Sequence, residues 1–442
     1  MENSPEDQLH ELVAAARQAG ADAVEAIAGR FENTLVGTRL GKLESVERRE
    51  TDTWRLRLWV GNRSASLSAS NLGRRQAFEA LIERTLVRAR AAPEDPYSGL
   101  APAELVCSKA VNAEATLDLF DPGETSASDL EVLAHDGEAA ALATPGVANS
   151  AGAQAMAARG RRWHVTSEGF SGRRQRTLFH LQVNVIAGGS GEMETDGYGR
   201  GARWRSDLPS PASIGVEAGR RAVARIGSRK LSSQRAPVIF DRRISMRLLE
   251  PFLDAINGHT VTRGASFLQH RLGERVFAPS LRIVDDPSVV RGLGSRVVDD
   301  EGVPSETRAL VDDGVLTTWL LDVASARQLG LQPNGYGQVG VSNLRLLPGS
   351  DRLEDLMSQV GSGLLITGMF EPSLSQQTGD WSAGVSGVWF EGGQAAFPVS
   401  EVTVAGSLPQ FYARMAPASD LEMIDAANAP SLLVDAVAIA GA

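Results

Sequence analysis

The chain has 442 residues, 43% hydrophobic and 22% charged, a balance that supports a sizeable buried core and more than one domain. Its 54 Asp and Glu outnumber its 44 Lys and Arg, for a net charge of −10. The field of the whole molecule therefore opposes a nucleic-acid backbone or an anionic membrane surface, although a local basic groove is compatible with it. A single cysteine, Cys107, excludes an intrachain disulfide and any multi-cysteine zinc or iron–sulfur site, and fits a cytoplasmic protein.

The first thirty residues are acidic and Ala-rich, unlike an export signal, and no stretch approaches the ~18 apolar residues of a spanning helix. The first element is a helix: Ser4 caps it, Pro5 suits its first position, and Leu9, Leu12, Val13 and Ala16 form its apolar stripe up to Gly20. Residues 54–60 alternate, with Trp54, Leu56, Leu58 and Val60 on one face. Gly61-Asn62 then turns the chain into a second strand over 64–70. A helix carrying Phe78, Leu81, Ile82 and Ala89 follows and stops before Pro93-Glu94-Asp95-Pro96. The spacing predicts a further helix over 128–142, a Gly- and Arg-rich stretch with a strand near 178–186, and a helix over 212–226. Residues 228–237, polar, basic and ending in proline, read as a linker.

The last two hundred residues carry short strands at 238–240, 281–284 and 399–405. Hairpins are expected at Asp313-Gly314, between 309–311 and 315–320, and at Gly392-Gly393, between 388–390 and 395–397. Helices are expected at 323–329 and 352–360, and the tail 431–442, interrupted by Asp435, reads as a buried strand. The expected class is α+β and multi-domain. It comprises an N-terminal helix and strand-hairpin unit (1–110), a middle α+β segment (111–228) and a C-terminal domain (229–442) with a largely antiparallel sheet and flanking helices.

No self-sufficient catalytic motif stands out. The six histidines, at 10, 135, 164, 180, 259 and 270, include no pair three to five residues apart, so no helix turn presents two imidazoles to a metal. Gly169-Phe170-Ser171-Gly172 and Gly384-Val385-Ser386-Gly387 lack the spacing of a nucleophile elbow, and Cys107 reads as a small buried side chain. Asp285-Asp286, Asp299-Asp300-Glu301 and Asp312-Asp313 offer carboxylates to a hard cation. Each abuts Pro or Gly, and turn-forming surface acids explain them more simply.

Several strings in the second half are more specific: Asp299-Asp300-Glu301-Gly302-Val303, Leu310-Val311-Asp312-Asp313-Gly314-Val315-Leu316, Thr378-Gly379-Asp380-Trp381-Ser382 and Pro398-Val399-Ser400-Glu401-Val402-Thr403-Val404-Ala405-Gly406. With Pro93-Glu94-Asp95-Pro96-Tyr97 in the first half, they resemble the PmbA (TldE) branch of the TldD/PmbA family, once called modulators of DNA gyrase. The resemblance implies one subunit of a two-protein cytoplasmic metalloprotease acting on unfolded or extended peptides. In such pairs the TldD-type partner holds zinc on a His-Glu-x-x-x-His helix and a downstream cysteine. Placed without a gap from Arg263-Gly264, the motif positions in this chain fall on Glu250, Pro251 and Ala255, and residues 379–406 contain no cysteine.

The resemblance thus implies no catalytic residue, metal ligand or cofactor in this chain, with zinc in a TldD-type partner in a heterodimer, or a homodimer when the chain is isolated. Peptide or partner contact falls on Thr378, Asp380 and Trp381, although Ala383 replaces the family's arginine nearby and Met369-Phe370-Glu371-Pro372 its Gly-rich turn. Strand addition at a sheet edge is the expected mode of holding peptide. The alternatives are an independent hydrolase with a metal on Asp299–Glu301 or Asp312–Asp313, and a homodimeric peptide-binding scaffold. Nucleic acid and membrane are not expected partners.

Overall fold

The computed structural model describes residues 4–70, 75–107, 114–189 and 192–441. The first half contains, in order, α1 (Pro5–Gln18), β1 (Ala23–Arg39), β2 (Lys42–Val60), β3 (Arg63–Ala69), α2 (Arg75–Ala91), α3 (Glu114–Leu117), α4 (Ala127–Leu142), β4 (Val147–Thr166), β5 (Ser171–Gly189), β6 (Glu192–Ala202) and α5 (Pro211–Val223). The six strands form one antiparallel sheet in the order β3-β2-β1-β4-β5-β6. β1 pairs with β4 from Glu25↔Thr166 to Thr38↔Ala153, so the stretches 1–110 and 111–228 share a single sheet.

The helices start where the sequence places caps. Ser4 accepts the Asp7 N–H and Ser126 that of Asp129, each in a reciprocal capping box. All four long helices cover the same side of the sheet. α1 and α2 pack on Val24, Ala26, Ala28, Leu56 and Leu58, while α4 and α5 pack on Val36, Ala153, Ala155, Leu181, Val183 and Val185. Because side chains alternate along a strand, the residues between these point to the other side, which no helix of this half covers.

β1 and β2 are much longer than the alternating stretch 54–60. They meet at Leu40 (φ 52°) and Gly41 (φ 70°), both left-handed as a two-residue hairpin turn requires. The distal part of β2 is charged and mostly exposed, so no apolar alternation marks it.

The second half contains β7 (Gln234–Phe240), α6 (Met246–Ala255), α7 (Gly258–Thr262), β8 (Ile283–Asp285), β9 (Arg308–Asp312), β10 (Val315–Leu316), α8 (Val323–Leu329), β11 (Leu344–Leu346) and α9 (Leu353–Val360). It ends with β12 (Gly363–Met369), β13 (Ser373–Leu374), β14 (Asp380–Glu391), β15 (Gln394–Ser407), α10 (Leu408–Arg414), β16 (Ala416–Pro417), β17 (Ala427–Asn428) and β18 (Leu432–Ala440). One sheet runs β12-β7-β18-β15-β14-β13, and an additional β12–β14 pairing joins its first strand to its fifth. Strands β12, β7, β18, β15 and β14 therefore close into a ring, which leaves those strands no open edge. A smaller sheet runs β10-β9-β8-β11-β17. Only the β12–β7 and β11–β17 pairs are parallel. The architecture is α+β with a largely antiparallel second half, as expected.

The two predicted hairpins form at Asp313 (φ 47°) and Gly314 (φ 74°), and at Gly392 (φ 56°) and Gly393 (φ 75°). The strand after Gly314 is shorter than expected, ending at Leu316, and residues 399–405 continue the strand that contains 395–397. The expected linker over 228–237 is not free chain. Arg229 N–H bonds to the Pro398 carbonyl at 2.9 Å, and β7 begins at Gln234. Pro237, which has no N–H to give a neighbour, falls where the β7–β18 register shifts between Val434 and Val437. No helix among the described residues is long and apolar enough to cross a membrane.

Candidate functional site: a groove on the open face of the first sheet

The uncovered face of the six-stranded sheet and the loop around Asp300 from the second half enclose an open groove of about 810 Å³. Phe31, Met156, Ala158, Gly160 and Leu178 line its floor, and Phe31 is 45% exposed there. Arg55 of β2, Arg162 of β4, and Arg174 and Arg176 of β5 also line it. The β4–β5 register places Arg162 opposite Arg174 and Gly160 opposite Arg176.

Asp300 resolves part of this cationic crowding. It accepts from Arg162 Nη1 at 2.8 Å and Arg174 Nη1 at 3.1 Å, while Arg174 also reaches the Val298 and Asp299 carbonyls. Burial lowers Arg174 to about 10, with the Asp300 charge opposing. At the next position along β4, Glu25 lies 3.1 Å from His164 Nε2 and 3.4 Å from Arg55. Burial, helped by the charges of Arg162 and Arg174, holds His164 below its ordinary value.

The rest of the 299–301 cluster is interior. Asp299 accepts the N–H groups of Glu301 and Val303 on one oxygen and Gly337 on the other, and burial still pushes it up to about 6. Glu301 accepts from Val323 N at 2.8 Å. Burial pushes it up to about 8, and the charges of Asp299, Asp322 and Glu25 add to the push. Asp322 caps α8 through Ser325 and lies 2.7 Å from His259 Nε2.

Of the other acid pairs, Asp286, Asp312 and Asp313 have arginine partners. Asp286 holds Ser288, Thr307 and Arg345; Asp312 pairs with Arg282 at 2.7 Å and Asp313 with Arg275 at 2.9 Å. Asp285 is buried and accepts from Ser342 N at 2.7 Å. Cys107 is half-buried, and its N–H donates to the Gly302 carbonyl. His10 lies near Ser171 and His135 beside Asp136, in separate parts of the chain. Among the described residues no three His, Cys, Asp or Glu side chains are disposed to hold a metal ion.

Helix α6 carries Glu250, Pro251 and Ala255. Glu250 is exposed, whereas Pro251 and Ala255 are buried with Leu248, Leu249 and Phe252. Phe252 meets Phe277 and Tyr412 edge-on, with ring centroids 5.0 and 6.3 Å away, and Tyr412 donates its hydroxyl to the Leu248 carbonyl at 3.0 Å.

A further cluster involves Thr378, Asp380 and Trp381. Thr378 Oγ1 bonds to Asp380 Oδ2 at 2.7 Å in an exposed turn, around Gly379 at φ 73°. Trp381 is 3% exposed, packed between Phe240 and Phe411 with centroids 6.2 Å from each. Thr378 and Asp380 are thus the members of that trio whose side chains reach solvent.

Family models for the PmbA/TldA metallopeptidase central and C-terminal domains match residues 120–226 and 233–441. The chain is 33% identical to the metalloprotease PmbA of Escherichia coli O157:H7 over 95% of this chain and 92% of that one. The chain belongs to the PmbA/TldD family. Among solved structures, a candidate modulator of DNA gyrase from Bacteroides thetaiotaomicron superposes with a TM-score of 0.89 at 25% identity, covering both chains fully. TldE from Thermococcus kodakarensis shares the fold at 17% identity, with a TM-score of 0.85 over 98% of this chain and 99% of that one.

The zinc motif that the resemblance implies falls on α6. Pro251 and Ala255 have no side-chain donor atom; both are buried, and Ala255 belongs to the apolar core of the second half. The Tyr412 hydroxyl in that aromatic cluster is engaged with the helix backbone. These residues do not fit a zinc ion.

Arg55, Arg162, Arg174 and Arg176 were not singled out by motif, whereas Asp300 was, within Asp299-Asp300-Glu301. Parity along the strands is the signal that locates them: Arg162 lies between the inward Arg161 and Trp163 positions, and Arg174 and Arg176 share parity with Leu178, opposite to buried Phe179 and Leu181.

Proposed function

We propose that this chain is the non-catalytic, PmbA/TldE-type subunit of a two-chain cytoplasmic metalloprotease. A TldD-type partner carries the zinc, and this chain completes the substrate chamber and holds extended peptide in its groove. The observation that carries this reading is α6, where Glu250 faces solvent and Pro251 and Ala255, buried and without a donor atom, stand at the positions of the family's metal-binding motif. The lack of cysteine over 379–406 points the same way. Hydrolysis by such a motif needs ligands that fix the metal and a carboxylate that takes a proton from its water; proline and alanine supply neither. The Asp299–Glu301 cluster is a weaker alternative, because both Asp299 oxygens are taken by backbone N–H groups.

The chain purified alone is expected to hold substoichiometric zinc and to leave an unfolded peptide intact. Adding a TldD-type chain bearing His-Glu-x-x-x-His is expected to give chelator-sensitive cleavage. Chelator-sensitive turnover by the pure chain would overturn the reading.

A further inference from the structure

The charge of the groove is opposite to that of the molecule. The chain carries −10 overall, yet residues 159–176 contain six arginines and one carboxylate, Glu168. The strand register divides those arginines. Arg159 and Arg161 lie over the Phe120 ring and Arg173 over Trp163, whereas Arg162, Arg174 and Arg176 line the groove, which Arg161 and Arg203 also border. Asp300 is one carboxylate shared by two guanidiniums, so that trio keeps one positive charge. Arg176 is exposed and has no carboxylate within ion-pair distance among the described residues. Glu25 and Asp52 neutralise only Arg55 and Arg30.

We propose that the groove selects extended peptide segments bearing carboxylate side chains, with Arg176 as the free anion contact and the Arg162–Arg174 pair as the second. Arg174 and Arg176 are two residues apart on one strand, so their stems are separated by roughly 7 Å. An extended peptide repeats its side chains on one face at that same spacing, so acids at alternate positions match them. Apolar side chains farther along that same face of the peptide then meet the floor formed by Phe31, Met156 and Leu178. A nucleic-acid strand matches this site less well, because a short groove in which several guanidiniums already hold carboxylates, on a molecule of −10, offers few of the phosphate contacts such binding needs. This inference rests on the peptide-holding role proposed above and adds the chemical class of the peptide.

The test is fluorescence anisotropy with the full chain and labelled, unstructured peptides of one length: alternating Glu/Leu, alternating Gln/Leu and alternating Lys/Leu, beside a single-stranded oligonucleotide. The Glu/Leu peptide is expected to bind most tightly and to weaken as salt is raised. Arg176→Glu is expected to weaken it by about tenfold or more, since it sets like charges face to face. Arg159→Glu, on the other side of the sheet, is expected to leave binding unchanged. Arg176 is exposed, and an unchanged melting temperature identifies a folded variant. Equal binding of the Glu and Gln peptides, unmoved by Arg176→Glu, would overturn the charge selection while leaving the peptide-holding role intact. Failure of every peptide to bind would overturn both. Arg176-dependent binding of the oligonucleotide in preference to the Glu/Leu peptide would replace the occupant with nucleic acid.

Discussion

Arg162 and Arg174 are direct cross-strand partners on β4 and β5, and the carboxylate of Asp300, arriving from the second half of the chain, bonds to both. Like charges placed opposite each other destabilise a sheet pair, and burial raises that cost. Asp300 thus makes the pairing tolerable and ties the second half of the chain to the open face of the first sheet.

Asp300→Asn is therefore expected to destabilise the protein by about 1–3 kcal/mol, because it leaves two partly buried guanidiniums with an amide between them. Urea unfolding at neutral pH measures this. Burial raises the Asp300 carboxyl, but Arg162 and Arg174 outweigh it and hold the group below its ordinary value. Its contribution is present above the unfolded value of 3.8 and is lost as pH falls through the lower folded value. The Asn variant should accordingly lose less stability than the parent on acidification.

Glu301 carries the opposite sign. Burial first, then the Asp299 charge, pushes its folded value up to about 8 from 4.5. The folded state then binds a proton that the unfolded chain has released, so stability falls as pH rises from about 4.5 to about 8. Glu301→Gln keeps an oxygen for the Val323 N–H and removes the titration. Its melting temperature should exceed that of the parent most clearly above pH 8, with the difference shrinking toward pH 5. A constant difference at every pH would refute this account.

The contrast between these neighbouring acids bears on what the sequence discloses. Helices α1, α4 and α8 follow from caps and apolar stripes, and the Asp313-Gly314 and Gly392-Gly393 hairpins from turn chemistry, because each signal is local. The distal half of β2 carries no alternation, because its residues are mostly exposed, and the β1–β2 turn uses Leu40 in a conformation that leucine rarely adopts. The ring closure through β12 and β14 joins segments by pairing alone, which no local pattern encodes. The groove was legible only as an excess of arginine near residues 159–176. Which of those arginines meet depends on register, and their partner Asp300 lies more than a hundred residues away. That Asp300 is an ion-pair partner while Asp299 and Glu301 are buried acceptors follows from three-dimensional surroundings that the string Asp-Asp-Glu does not contain.

Helix α6 provides a test of the absent metal site that does not depend on activity. Ala255 is 3% exposed beneath the aromatic cluster, so Ala255→His must push an imidazole into filled space. A cost of about 1–3 kcal/mol is expected. The triple change Glu250→His, Pro251→Glu and Ala255→His should gain no stoichiometric zinc by elemental analysis, since residues 379–406 supply no cysteine. Tight zinc binding by the folded triple variant would show that the helix is a ready site lacking only its ligands.

The segment 378–381 separates a packing role from a contact role. Trp381 fills the space between Phe240 and Phe411, and truncating a fully packed aromatic removes both burial and contacts. Trp381→Ala is expected to cost about 3–5 kcal/mol. Thr378 Oγ1 bonds to Asp380 Oδ2 and Ser375 Oγ and accepts the Asp380 N–H, all at the surface, where water replaces such bonds and their loss costs about 1 kcal/mol or less. Thr378→Ala should therefore unfold within a degree or two of the parent. Peptide or partner binding measured on this folded variant reads contact directly: a drop in affinity without a drop in melting temperature assigns the turn to an interface. Unchanged affinity confines the segment to the structural role of anchoring β14 over the core.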